Sequence, residues 1–318
     1  MIILKALPGC YSQDPVKYLN FDRFKDIRND IILIEGSFYQ KSKISDFGIQ
    51  EKELIGKKIV RIELEEPNKY AVNDKPYEYD DLFYKVFTIC PYSAQWINEM
   101  NKNNRRVATY FPFNEEYIPK TKKKKYDIIY TGHVLCKELH KDIETIKKYN
   151  YKFVSNSNDS LVTDKSVSYK KKLDLISQSK ITLIHNLIYL NRLYVLNLWR
   201  DPHFEKNLAF KDIPRRFNLL SLLRNKNYYA PQIKSRTFEA AFCRSLILCR
   251  RDKFNIIEKF FIPEKEFIYY EEGHLSETVD NILKNYSKYK KVIDNAYQKA
   301  VKNYTTKNFV EKYLKKLK

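Results

Sequence analysis

Glycine is scarce in this chain. Only six of its 318 residues are glycine, and neither G-x-G-x-x-G nor G-x-x-x-x-G-K occurs. Dinucleotide oxidoreductases and P-loop enzymes build their phosphate cradles on those spacings, so both classes are disfavoured. Cysteine is scarce too. Cys10, Cys90, Cys136, Cys243 and Cys249 form an odd set at irregular spacing, mostly in or beside apolar segments. They read as reduced core thiols, which fits a reducing cytoplasm. The start, MIILKALPGC, opens on a strand-like run and lacks the basic start, apolar core and cleavage site of a signal peptide. The longest candidate for a membrane span, residues 181–199, is broken by His185, Asn186, Asn191 and Arg192 and is rejected. The expected location is cytoplasmic, with a peripheral place at the inner membrane face as the variant.

What is abundant is apolar surface and positive charge. Hydrophobic residues make up 43% and aromatics 15%, enough for a sizeable core. The formal net charge is +20. That charge suits an anionic partner: phosphorylated substrates, an anionic membrane surface or nucleic acid. It equally suits an AT-rich coding sequence, in which Lys rises together with Asn, Ile and Tyr.

Short apolar runs at 2–7, 30–35, 58–64, 85–90 and 106–111 each end in a turn signal, with helical stretches between them. Such alternation predicts an α/β fold with a parallel sheet, whose ligands bind outside the carboxyl ends of the strands. A lysine run after Pro119, PKTKKKK, reads as a solvated linker. The pattern then restarts with a strand at 126–131, a strand near 152–155, a helix near 169–177 and a strand at 180–185. A long Leu- and Tyr-rich helical region is expected from there to about Tyr228. Two domains follow from this, 1–120 and 121–318: Rossmann-like units facing a cleft, with C-terminal helices packing back on the body. The last helix, with Phe309, Val310, Tyr313, Leu314 and Leu317 on one face, reads as packed on the body or as a basic surface on lipid.

The most informative stretch is KSRTFEAAFCRSLILC, 234–249: a polar turn, an amphipathic helix and a buried strand. Glu239 is the helix's one carboxylate, and Lys234 and Arg236 flank the helix start. A carboxylate can hold two vicinal hydroxyls, and cations at a helix start can hold a diphosphate. The combination suits a nucleotide-sugar. Gly132 and His133 follow the strand YDIIYTG, and Asn186 ends another strand, where it can touch sugar or phosphate or simply turn the chain. His133, Cys136 and His140 fall at helical spacing, but zinc wants four ligands and no second pair is near, so no metal is expected.

RTFEAAFCRSLILC, then PEKEFIYYEEGHLSETVDNIL and KNYTTKNFVEKYL, resembles the C-terminal half of GT-B glycosyltransferases, in particular the CgeB-related group and the wider family 1/family 4-type enzymes. The likeness is specific over about 177–280 and weak before Tyr126. It implies a nucleotide-sugar donor, UDP- or GDP-linked, on the second domain, with a glycan, lipid-linked or other hydroxyl acceptor on the first. By the same likeness Glu239 grips the ribose hydroxyls, while Arg236 and Lys234 neutralise the diphosphate leaving group. Gly132 and His133 let backbone amides approach phosphate or acceptor. No cofactor or divalent metal is implied, and the chain has no D-x-D motif. Many relatives carry a second Glu eight positions earlier. Here that residue is Pro231, which leaves the stereochemistry of transfer open.

No histidine precedes His133, so a base from the first domain has to be Asp or Glu. Glu35 and Glu65 close strands and are the base candidates, with Glu66 and Asp14 behind them. Two other readings stand beside the transferase. One is a nucleic-acid-binding protein or DNA-base glycosyltransferase, argued from charge alone. The other is a non-catalytic sugar- or phosphate-binding scaffold, argued from Pro231.

Overall fold

The computed structural model describes residues 1–5, 19–35, 50–64, 66–67, 80–134, 136–190, 192–201, 203–213 and 228–318. Contacts divide the chain into two units. Unit 1 comprises Met1–Phe111, Leu187–Gln232 and Val310–Lys318, and unit 2 comprises Pro112–Asn186 and Ile233–Phe309. The expected boundary between 120 and 121 differs from this division. The chain leaves unit 1 at Phe111, returns for 187–232 and returns again at Val310.

Unit 1 opens with β1 (Ile2–Lys5), β2 (Ile31–Glu35), β3 (Lys58–Glu63), β4 (Lys85–Thr88) and β5 (Arg106–Ala108). They pair in parallel in that order. Ile31, Ile32, Leu33 and Ile34 are all fully buried, so both faces of β2 are covered and its sequence is a continuous apolar run. Helix α1 (Pro91–Asn101) starts where the sequence allows, with Pro91 at its first position and the Cys90 sulfur accepting from the Ser93 amide.

Unit 2 is a second parallel sheet. Its strands are β6 (Tyr126–Thr131), β7 (Tyr151–Val154) and β8 (Ser179–Ile184), with helices α2 (Lys137–Ile146) and α3 (Tyr169–Ser177) between them. The lysine run before β6 is docked in part: Lys120, Lys123 and Lys125 are exposed, while Lys122 and Lys124 reach partners in unit 2. Lys122 pairs with Asp174 at 2.7 Å, and the Lys124 ammonium donates to the carbonyls of Ser177 and Arg244.

After β8 the long helical region expected from the sequence is interrupted over the described residues, and its stretch 214–227 lies outside them. Instead β9 (Leu187–Leu190), α4 (Arg192–Trp199), two short 3-10 turns and β10 (Tyr228–Pro231) follow, and β9 and β10 pair antiparallel. Alternate burial along Leu-Ile-Tyr-Leu shows the two-residue period of a strand, which the density of Leu and Tyr concealed. The core of this excursion joins Trp96 and Ile97 of α1 with Ile188, Leu190, Leu198 and Phe210.

The chain then completes unit 2 with α5 (Ser235–Phe242), β11 (Leu246–Arg250), β12 (Ile268–Tyr270), α6 (Leu275–Lys284) and α7 (Lys290–Asn303). The strand order is β12-β11-β8-β6-β7. From β6 the chain builds outward to β7 and then to the opposite side through β8, β11 and β12. The reversal lies between β6 and β8, and a doubly wound sheet holds its ligand outside the carboxyl ends at such a point. A short helical turn, Thr306–Phe309, ends unit 2, and a turn of π-helix, Val310–Leu314, closes the chain in unit 1. Val310, Leu314 and Leu317 are buried there, and Tyr313 packs its ring 5.2 Å from that of Phe87. The apolar face of this segment is thus spent on packing.

Candidate functional site

The site is built on the strand ends at the switch point of unit 2. Gly132 follows β6 with φ +113°, a conformation that side chains rarely adopt. A Cβ placed there would clash with Arg236 Nη2, so the bare glycine lets the guanidinium lie against the backbone. The same guanidinium stands 4.8 Å over the Tyr130 ring. Among the described residues no carboxylate pairs with it. Tyr130 donates to the His133 carbonyl at 2.9 Å, which fixes the turn after β6, and the His133 side chain is exposed.

Helix α5 carries Arg236 in its first turn and Glu239 in its second. The influence of the helix terminus fades within one turn, so it does not account for Glu239. The carboxylate is buried, with 3% of the side chain exposed, and Lys172 of α3 donates to Oε1 at 2.8 Å. Its other oxygen, Oε2, is buried and has no hydrogen-bond partner among the described residues. A buried acceptor left in that state costs about 1–3 kcal/mol, and more when charged.

Asn186 ends up serving the protein. Its amide oxygen accepts from the Lys234 amide at 3.0 Å and from the Thr237 hydroxyl at 3.1 Å, and its nitrogen faces the Cys249 sulfur. It fixes the start of α5, where Lys234 is the N-cap residue and supplies no side-chain cap of its own. His133 and Cys136 do not share a helical face with His140, because α2 starts only at Lys137. No cluster of metal-ligating side chains occurs among the described residues.

A second group closes the same edge. His185, just past β8, places Nε2 2.9 Å from Asp142 Oδ2 and 2.7 Å from the Tyr270 hydroxyl, which itself donates to that Asp142 oxygen. Arg250, at the end of β11, stands 3.6 Å from Asp142 and 2.9 Å from Glu272. Burial pushes His185 below its ordinary value, against the pull of Asp142, and the positive charges of Arg250 and Arg236 lower it further. Its imidazole is therefore neutral at pH 7.

Unit 1 offers less. Glu35 closes β2 at the carboxyl end. Glu65 and Asp14 lie outside the described residues. Glu66 is committed: it pairs with Arg106, accepts from the Thr88 hydroxyl at 2.5 Å and is buried. With both oxygens held, this carboxylate has nothing left to offer an acceptor hydroxyl.

The profile of a family described as glycosyl transferase-like matches residues 133–315, more than half of the chain. The chain belongs to that family. Its two parallel α/β units are the fold of GT-B glycosyltransferases. Anabaena HepE, solved in complex with UDP and glucose, superposes with a TM-score of 0.55 at 10% identity, covering 91% of this chain and 78% of that one. The pneumococcal O-GlcNAc transferase GtfA, in complex with UDP and GlcNAc, gives 0.54 at 12% identity, over 93% and 58%. An S. aureus TarM variant, in complex with Fondaparinux, alpha-GlcNAc-glycerol and UDP, gives 0.54 at 12%, over 94% and 57%. The likeness at these identities is one of fold, and the chain spans a little over half the length of TarM and GtfA. No curated protein matches the chain in sequence.

Sequence reasoning missed Lys172, Asp142, His185 and Arg250 as members of this edge of the glycosyltransferase-like unit. A signal existed for His185, which ends the apolar strand ITLIHN at the ligand-binding side. Lys172 gave none, since it is one of three successive lysines.

Proposed function

We propose that this protein transfers a sugar from a nucleotide-sugar, UDP-linked in the first instance, to a hydroxyl of a glycan or lipid-linked acceptor. The observation that carries the reading is Glu239, a buried carboxylate with one oxygen held by Lys172 and one without a partner among the described residues, on the same helix as Arg236, with which no described carboxylate pairs. A ribose brings two vicinal hydroxyl donors to such an oxygen. Arg236, aided by Lys234, takes the diphosphate, and its charge stabilises the leaving group as the sugar–phosphate bond breaks. Gly132 leaves room for the Arg236 guanidinium against the backbone after β6. The chemistry needs no divalent ion in this scheme, because the guanidinium supplies the positive charge. Unit 1 receives the acceptor, with Glu35 as the candidate base. UDP is the nucleotide bound in HepE, GtfA and TarM, which makes it the first probe.

The test is a titration of UDP into the wild type and Glu239→Ala, with folding followed by circular dichroism. Binding by the wild type and its loss in the folded variant are expected. Equal affinity in both would overturn the assignment of Glu239. A panel of sugar nucleotides, assayed for transfer and hydrolysis with and without EDTA, tests the chemistry. Turnover that survives EDTA is expected. A protein that binds UDP yet turns over no donor would be a binding scaffold.

A further inference from the structure

We infer that Lys172 is a positioning residue for the donor, acting through Glu239. The inference rests on the reading of Glu239 as the ribose ligand. Lys172 and Glu239 lie 67 positions apart and meet only because α3 packs beside α5. The ammonium donates to Oε1 at 2.8 Å, with 23% of its side chain exposed. It also sits 4.6 Å over the Tyr169 ring, and that ring stands edge-on to Tyr117 at 5.5 Å. The helix that carries it is pinned at its start, where the Ser168 hydroxyl accepts from the Lys171 amide at 3.2 Å.

Two consequences follow for Glu239. A carboxylate this deeply buried needs a counter-charge, and Lys172 supplies it on one side only. Anchoring Oε1 also fixes the carboxylate plane, so Oε2 keeps its lone pairs in one direction. A ligand with hydroxyl donors then meets an acceptor that is already charged and oriented and has no internal bond to break. Pre-organisation of this kind raises affinity without a direct contact between Lys172 and the ligand. The contact is made equally in the bound substrate and in the transition state, so it acts on donor KM and leaves kcat unchanged.

The experiment compares UDP with 2′,3′-dideoxyuridine 5′-diphosphate, which lacks both ribose hydroxyls, on the wild type, Glu239→Gln, Lys172→Met and Lys172→Arg. The wild type should prefer UDP by roughly 30-fold, the effect of two hydrogen bonds to a charged acceptor. Lys172→Met should cut that preference to about 3-fold by weakening UDP alone, and Lys172→Arg should keep most of it. A purely structural lysine would lower both affinities together and leave the preference intact, which overturns the inference. If Lys172→Met does not fold, Lys172→Gln, which can donate but carries no charge, takes its place with the same expected loss. No preference in the wild type means that the reading of Glu239 has failed. Preference lost in Glu239→Gln but kept in Lys172→Met means that only the role of Lys172 has failed.

Discussion

The two sheets carry buried charge near the ends of their strands, and they treat it in opposite ways. In unit 1 Arg106 donates to both oxygens of Asp80 at 2.7 Å, pairs with Glu66, and leaves Thr88 to complete the second Glu66 oxygen. All four groups are buried and the set is closed on itself. In unit 2 Glu239 is equally buried but half-satisfied, and among the described residues no carboxylate pairs with Arg236 beside Gly132. A closed cluster has nothing left to offer a ligand, so it serves the fold. An incomplete one carries a standing cost that a ligand with matching donors can relieve. Completeness of hydrogen bonding, more than charge or burial, separates the structural group from the candidate site.

The contrast breaks most sharply at Arg106. Replacing it with Met strands Asp80 and Glu66 without a counter-charge, and a loss of about 3–5 kcal/mol in unfolding free energy is expected by denaturant titration. Glu239→Gln should do the reverse. Its affinity for UDP falls by roughly 30-fold, about 2 kcal/mol, while its melting temperature stays near that of the wild type. A large loss of stability in Glu239→Gln would place it with the closed cluster instead. Gly132→Ala comes next. The added methyl meets the guanidinium and the backbone is strained, so Arg236 must move. UDP affinity should fall about tenfold, and adding Arg236→Gln should cost little more, since both changes remove one interaction.

The smallest effect is a pH dependence. His185 is buried and neutral, with its protonation lowered below the ordinary value of 6.5. The unfolded chain therefore takes up a proton first as pH falls below that value, and stability declines toward acid. Melting temperature should drop between pH 7 and pH 5, and His185→Gln should flatten the slope. An unchanged slope would show that the buried Asp142–Tyr270 pair tolerates the imidazolium.

Much of this was legible beforehand because it is local. Residues 126–131 form the expected strand, and 30–35, 58–64 and 180–185 lie within a residue of β2, β3 and β8. Apolar runs bounded by Pro, Gly or Asn suffice for that. That Glu239 and Arg236 share one helix was legible, because the stretch 235–242 is local in sequence. The excursion at 187–232 was not, since a strand of four residues amid Leu and Tyr looks helical until its partner, some forty positions on, is known. The ion pairs were hidden for the same reason. Lys172 finds Glu239, and Asp142 finds His185 and Tyr270, only through the packing of separate elements. The fate of Glu66 likewise depended on Arg106, forty residues away.

Unit 1 is assembled from three separate stretches of chain, and this has a consequence for synthesis. The strands of its sheet leave the ribosome first, but Leu187–Gln232 and Val310–Lys318 follow only after long portions of unit 2 have been made. Domains that are continuous in sequence can fold as they emerge. Here the earlier unit must wait for the later one, with the Phe87 and Tyr110 rings uncovered until Tyr313 arrives to pack on them. A nascent chain arrested before Val310 should therefore hold a finished second sheet beside a first one that still recruits chaperones.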